Sequence, residues 1–388
     1  MTLKNSKIQL VKDTIDQKDI KQLINWLKTN PRLTKGDLTI EFEKQWSEWL
    51  GTKYSVFVNS GSSANLAAVY ALMLSGKLKN NKIVVPAVSW VTTVTPAIQL
   101  GLDPIMCDAD GNNLGLSIRN LKKIIKEHNP AAIILVHVLG FPNQMTEIVN
   151  LCKEHNILLI EDTCEAMGSQ YKNKKVGTFG ELSTFSMYFG HHMSTIEGGM
   201  ICTNDEDLYN ILLSIRSHGW DRDLPSEKQK SLRKQYGVND FRALYTFYYP
   251  GFNLRATDLQ AYLGINQLKK IDKIIKQRNK NYRYYQRNID KKGWKIKPQK
   301  HAFISNFCYP IITPNIDKLS KALMDDNIEC RPLICGSIGE HPFWYERYGK
   351  QDLPMAKKVH EYGIYIPNHP KLTKDEMDRI IKIVNENI

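Results

Sequence analysis

After a polar start, the 388-residue chain carries two runs whose apolar residues recur every three or four positions. "DQKDIKQLINWLKTN" (16–30) and "LTIEFEKQWSEWLG" (38–51) both predict amphipathic helices, the second stopping at Gly51. Beyond them the period changes. Short apolar runs alternate with helical ones: "YSVFV" leads to "GSSANLAAVYALMLSG", "KIVVP" to a helix near 91–100, and "AAIILVHV" to "QMTEIVNLCKEHN", followed by "ILLIED". This alternation predicts an α/β fold, a mainly parallel sheet with helices on both faces. "AAIILV" and "ILLI" are apolar at every position, as strands covered on both sides must be.

After Gly199 the pattern predicts a strand at "MICTN" and a helix from about residue 205. The polar stretch "DRDLPSEKQKSLRKQYGVNDF" (221–241) reads as an exposed loop. "PGFNLRATDLQAYLGINQLKKI" (250–271) predicts a turn into a long helix, and the chain from about 302 mixes strands and helices as a smaller second domain would. The expected division is 1–255 for an arm and large domain and 256–388 for the small one. No internal repeat or low-complexity tract interrupts the pattern.

Composition narrows the picture. Apolar residues make up 42% of the chain, which suits a sizeable core. A net charge of +13 favours anionic partners such as nucleic acid, membrane surfaces or phosphorylated small molecules. Much of the excess lies in 268–301, where Leu268, Ile271, Ile274 and Ile275 fall at helical spacing, so the lysines are read as a solvated face. No nucleic-acid motif accompanies them, and no nucleic-acid partner is expected. The seven cysteines are scattered without CxxC or CxC pairs, which argues against a metal or iron–sulfur site and for reduced thiols in the cytoplasm. The start "MTLKNSKIQLVKD" lacks the apolar core of a signal peptide, and no run is long enough to predict a membrane span.

In an open parallel sheet, ligands gather beyond the carboxyl ends of the strands. Three motifs fall at or near such ends. In "NSGSSAN" (59–65), Gly61 permits a tight turn, and Ser62 and Ser63 offer N–H groups and hydroxyls at a helix N-terminus, suited to a phosphate or simply to capping. In "ILLIEDTCEAMGS" (157–169), Asp162 ends a buried strand, where an ionised carboxylate needs a cation such as a protonated pyridine nitrogen, unless it only caps the next segment. In "FSMYFGHHMSTIEGG" (185–199), Ser186 is a second phosphate candidate and Glu197-Gly198-Gly199 reads as a close-packed turn into the next strand.

Together and in this order, the motifs resemble the nucleotide-sugar aminotransferase and dehydratase family of the aspartate-aminotransferase fold, which uses pyridoxal phosphate. "VPAVSWVTTV", "RSHGW" and "GFNLRATDLQAYLGINQLKK" extend the resemblance over nearly the whole chain. It implies the pyridoxal-phosphate fold type I architecture and a homodimer with shared active sites. In lysine-bearing members, the cofactor-tethering lysine stands five residues after the phosphate serine and six before the Glu of EGG. Counted from Ser186 and Glu197, that position is His191. One branch is similar in this exchange, in the double histidine, in the segment His218 to Pro225, in Pro250 to Arg255 and in "IECRP" (328–332). A further branch without the lysine carries an iron–sulfur cluster on clustered cysteines, which this chain lacks.

The resemblance to the first branch implies a 3-dehydratase. It would remove the C3 hydroxyl of a GDP-4-keto-6-deoxy sugar, a hexose or a heptose, with ammonia release and with L-glutamate as amino donor. Lysine in an aminotransferase both tethers the cofactor and moves protons; histidine moves protons near neutral pH but forms no stable tether. The implied cofactor is therefore pyridoxamine 5′-phosphate or pyridoxal 5′-phosphate, bound non-covalently. By the same resemblance His191 is catalytic, with His192 a structural neighbour. Asp162 pairs with the pyridine nitrogen, Trp90 stacks on the ring, and Gly61, Ser62 and Ser186 bind phosphate. Glu165 lies near the reactive edge, Asn253 reaches the neighbouring subunit's cofactor phosphate, and Arg222 and Arg331 are candidates for substrate. A 4-aminotransferase that borrows another lysine, and a non-catalytic cofactor or sugar sensor, are the competing readings.

Overall fold

The computed structural model describes residues 6–290 and 296–388, so the first five residues and part of the basic stretch lie outside the described residues. Seven strands form the main sheet: β1 (Tyr54–Val58), β2 (Lys82–Pro86), β3 (Asp103–Cys107), β4 (Ala132–Val136), β5 (Leu158–Asp162), β8 (Leu182–Ser186) and β9 (Gly199–Thr203), in the order β1-β9-β8-β5-β4-β2-β3. The two-residue strands β6 (Gln170–Tyr171) and β7 (Lys174–Lys175) form a separate hairpin between β5 and β8. Pairing from β3 through β8 is parallel, while β9 runs antiparallel to both β1 and β8. The expected mainly parallel sheet is present with one reversed strand, whose direction an apolar run does not encode.

Helices cover both faces. The first eight are α1 (Gln17–Leu27), α2 (Asp37–Leu50), α3 (Gly61–Leu74), α4 (Val91–Gln99), α5 (Ile118–His128), α6 (Met145–His155), α7 (Glu206–Arg216) and α8 (Ser226–Tyr236). In β4, Ile133 and Leu135 pack with Leu121 of α5 and Ile148 of α6, while Ala132, Ile134 and Val136 join the core on the other side. That two-sided burial is why the run is apolar at every position.

α8 corrects the reading of 221–241 as a loop. Pro225 precedes it, Glu227 sits in its first turn, and Gly237 ends it in the left-handed conformation at φ 64°. Only Leu232 of this helix is buried, so the apolar period that marks a helix is missing. A four-residue helix, α9 (Asp240–Ala243), follows. The predicted long helix after Arg255 is two helices, α10 (Asp258–Leu268) and α11 (Ile271–Asn288), with a break at Lys269 and Lys270. α10 starts on a capping box between Thr257 and Gln260. Its Asp258 also accepts from the backbone N–H groups of Gly36 (2.8 Å) and Thr39 (3.0 Å), capping α2 from a distant part of the chain. In α11, Ile271, Ile274 and Ile275 face inward and Lys273, Lys276 and Lys280 outward, the solvated basic face expected.

The remaining chain builds β10 (Ala302–Phe303), paired with β6, and a three-stranded sheet of β11 (Tyr309–Ile312), β12 (Arg331–Pro332) and β13 (Gly363–Ile366). α12 (Ile316–Asp325), α13 (Pro342–Tyr348), α14 (Pro354–Tyr362) and α15 (Lys374–Asn387) accompany it. Asp108, just past β3, accepts from the N–H of Met355 (3.1 Å) and Ala356 (2.9 Å), so a residue at the main sheet caps α14 beside the small one. Among the described residues no helix is long and apolar enough to cross a membrane, and all seven cysteines are free.

Candidate active site

A cavity of about 580 Å³ opens at one edge of the main sheet. β5 and β8 end there, β9 begins there because it is reversed, and α3 starts there directly after β1. Leu10 and Val11 of the N-terminal arm and Phe307, Arg331 and Tyr365 from the small-sheet region complete the wall.

Strand alternation sorts the two acids at the end of β5. Glu161 turns to one face and accepts from the N–H of Gly177 (2.8 Å), Phe179 (2.6 Å) and Gly180 (2.8 Å), and from His137 Nε2 (3.1 Å). Asp162, only 3% exposed, turns to the other face and lines the cavity. Its Oδ2 accepts from Asn65 Nδ2 (2.8 Å) and Thr93 Oγ1 (2.7 Å), and its Oδ1 from Cys164 N (3.1 Å). These partners are neutral, so the carboxylate keeps its need for a cation.

Gly61 and Ser186 meet across the cavity floor. A Cβ on Gly61 would lie 2.7 Å from Ser186 Cβ, so only glycine allows the approach. At the end of EGG, a Cβ on Gly199 would lie 2.2 Å from the Ser60 carbonyl oxygen, again a close backbone approach. Ser62 lines the cavity and its hydroxyl bonds Thr92 Oγ1 at 3.1 Å. Ser63 does not line it: its N–H is taken by Ser60 Oγ (3.0 Å), the N-cap of α3. Ser60 also lines the cavity, but its hydroxyl is engaged in that cap. An unpaired buried carboxylate for a ring nitrogen and a small polar cup for a phosphate fit pyridoxal phosphate or its amine form.

His191 lines the cavity and His192 does not. The His191 ring stacks on Phe307 at 5.1 Å, its Nδ1 has no hydrogen-bond partner among the described residues, and its carbonyl accepts from Arg278 Nη2 (3.2 Å). Burial pushes its pKa down to about 4; the Cys164 carbonyl and Asp162 oppose that shift and the Arg278 cation adds to it. His192 is buried beneath, donating from Nε2 to the Ser305 carbonyl (3.0 Å), and burial holds it well below the usual histidine range. Glu165 also lines the cavity. Its Oε2 accepts from Leu139 N (2.7 Å), and burial pushes its pKa up to about 8. Trp90, 54% exposed, presents its side chain at the cavity rather than in the core. No lysine lines the cavity among the described residues.

The remaining candidates separate. Arg331 lines the cavity. Arg222 and Asn253 do not: Arg222 lies over the Trp220 ring (4.0 Å) and donates to the Leu244 carbonyl, and Asn253 Oδ1 accepts from Arg255 Nε (3.1 Å). Asn65, Thr93, Phe307 and Tyr365 were not anticipated. Asn65 carried a signal, lying one helical turn after Gly61 on α3.

The geometry fits a pyridoxal-phosphate site on the aspartate-aminotransferase fold, with His191 on the cavity wall. The chain belongs to the DegT/DnrJ/EryC1/StrS aminotransferase family, whose model matches residues 14–385. It is 33% identical over 390 residues to GDP-4-keto-6-deoxy-D-mannose 3-dehydratase of Yersinia pseudotuberculosis, covering 97% of this chain and 98% of that one. It is 30% identical to GDP-perosamine synthase of Escherichia coli O157:H7, with 91% of each chain covered. A crystal structure of GDP-4-keto-6-deoxymannose-3-dehydratase with a trapped PLP-glutamate geminal diamine superposes with a TM-score of 0.90 at 34% identity, covering 97% of this chain and all of that one.

Proposed function

We propose that this protein is a 3-dehydratase of a GDP-4-keto-6-deoxy sugar, using pyridoxamine phosphate and L-glutamate. The reading is carried by His191, at the position the family resemblance gives to the tethering lysine, in a cavity that no lysine lines among the described residues. The bound cofactor would supply the amine that engages the C4 ketone and the conjugated ring that takes up an electron pair. Asp162 holds the proton of the ring nitrogen, and Asn65 and Thr93 fix its carboxylate. Ser62, Ser186 and the backbone at Gly61 hold the phosphate, and Trp90 covers the ring. His191, neutral at pH 7 because it is buried, accepts a proton at the cofactor's C4′ carbon and passes one to the departing C3 hydroxyl. Glu165, protonated at pH 7, serves as a hydrogen-bond donor at the reactive edge. Arg331 faces an anionic group of sugar nucleotide or glutamate.

The proposed assembly is a homodimer in which Asn253 and Arg222 serve the partner's cavity. It is supported by their position outside their own cavity and by the neighbouring exposed Phe241 (77%) and Tyr245 (75%). Unpaired thiols support a cytoplasmic setting. The proposed division of the chain is 1–255 and 256–388.

The test is incubation with pyridoxal phosphate, glutamate and GDP-4-keto-6-deoxymannose. Loss of the C3 hydroxyl with release of ammonia is expected, and His191→Asn should lower that rate by at least about a hundredfold. Accumulation of a 4-amino sugar would overturn the reading.

A further inference from the structure

One surface remains outside this account. On α11, Lys273, Lys276, Lys280, Arg283 and Arg287 are all exposed, at spacings of three and four residues along about 21 Å of helix. None of the five has an ion-pair partner within 4.0 Å among the described residues. Like charges at this spacing repel and weaken a helix. Two concavities flank the row and share Arg283. One, about 490 Å³, is lined by Lys172, Arg283, Lys300, His301 and Phe303; the other, about 540 Å³, has Lys276, Lys280, Arg287 and Lys374 on its wall. Among the described residues no carboxylate lines either one. In the first, the Lys172 ammonium contacts Thr146 Oγ1 (3.0 Å) and the Tyr171 ring, and has no ion-pair partner among the described residues.

We propose that the concavity at Lys172, Arg283 and Lys300 is a second binding site, for a small molecule carrying two or more phosphate groups, and that its occupancy is felt at His191. Convergent cations without acidic partners favour a polyphosphate. The concavity is shallow and open, but its limited extent of about 490 Å³, with Phe303 among its lining residues, favours a compact molecule over a lipid surface or a nucleic-acid strand. The link to the main cavity is short. From Phe303 the chain runs through Ser305, whose carbonyl holds His192, to Phe307, which stacks on His191. Arg278, on the same helix as Arg283, holds the carbonyls of both Phe307 (2.8 Å) and His191 (3.2 Å).

The test titrates cofactor-loaded protein with inorganic tripolyphosphate and, separately, with ATP. The Arg283→Glu/Lys300→Glu double variant is compared with wild type, with circular dichroism checking that it is folded. Saturable binding at one site, at least tenfold weaker in the variant, is expected. Equal affinity for both probes marks the phosphates as the ligand, and tighter binding of ATP marks a nucleotide. Binding of equal strength in the variant, binding only to anionic vesicles or RNA, or no saturable binding overturns the site. The turnover part rests on the proposed dehydratase reaction: tripolyphosphate should change kcat/KM at least twofold in wild type and not in the variant. An effect equal in both proteins, or none in a wild type that binds, overturns the coupling. A wild type without dehydratase activity counts against that reaction and leaves the binding result standing.

Discussion

Glu165 and His191 both line the cavity, and burial moves both toward their neutral forms, the acid upward and the imidazole downward. Such opposed shifts leave a donor and an acceptor in one cavity at pH 7. For Glu165 the folded pKa of about 8 lies above the ordinary carboxyl value, so its contribution to stability is full below that ordinary value. It is lost as pH rises through about 8. Glu165→Gln should therefore raise the melting temperature relative to wild type more at pH 9 than at pH 5, read from thermal unfolding across that range. Gln also keeps a hydrogen-bond donor, so turnover at pH 7 should fall by less than about tenfold. Asp162, Ser186 and His191 were legible because each sits in a local motif of strand end and turn. Ser60 took the capping role within its own motif, which residue type alone does not assign among three serines. Phe307 was hidden for a different reason: it reaches His191 from more than a hundred residues away, and no local pattern marks that contact.

The elements show the same division. Strands β4 and β5 were legible as unbroken apolar runs because both faces are buried, and helix α6 by the period that one buried face writes into it. α8 was not, since a helix with one buried side chain has no period to read. The reversal of β9 was also hidden, yet it matters to the site, because it brings Gly199 beside Ser186 and Ser60. α2 depends on a tertiary cap: Asp258 receives the N–H groups of Gly36, Leu38 and Thr39 and the Thr39 hydroxyl (2.7 Å). Asp258→Ala should lower unfolding free energy by about 2 kcal/mol in urea titration, the upper end for a helix cap, because several donors lose their acceptor at once. Asp258→Asn should recover part of the loss.

At the scale of the whole molecule, the cavity draws on the N-terminal arm, the main sheet and the small-sheet region, which cap and brace one another through contacts such as Asp108 on α14. Arg222, Asn253 and the exposed aromatic side chains around them stand apart from that cavity. If they meet a second copy, charges placed among them should split the assembly. Phe241→Asp/Tyr245→Asp should shift the mass measured by light scattering from dimer to monomer and reduce turnover at least tenfold, with the monomer's circular dichroism unchanged. A monomeric wild type would remove the shared-site proposal.

No lysine lines the cavity among the described residues, and a cofactor held there without a covalent bond has one more consequence. Retention of the cofactor becomes a matter of mass action, with half the sites vacant whenever its free concentration falls to the dissociation constant. The folded state then borrows firmness from its surroundings: free cofactor at a hundred times that constant adds about 2.7 kcal/mol, and dilution takes it away. A protein that holds its cofactor without a covalent bond samples the supply around it.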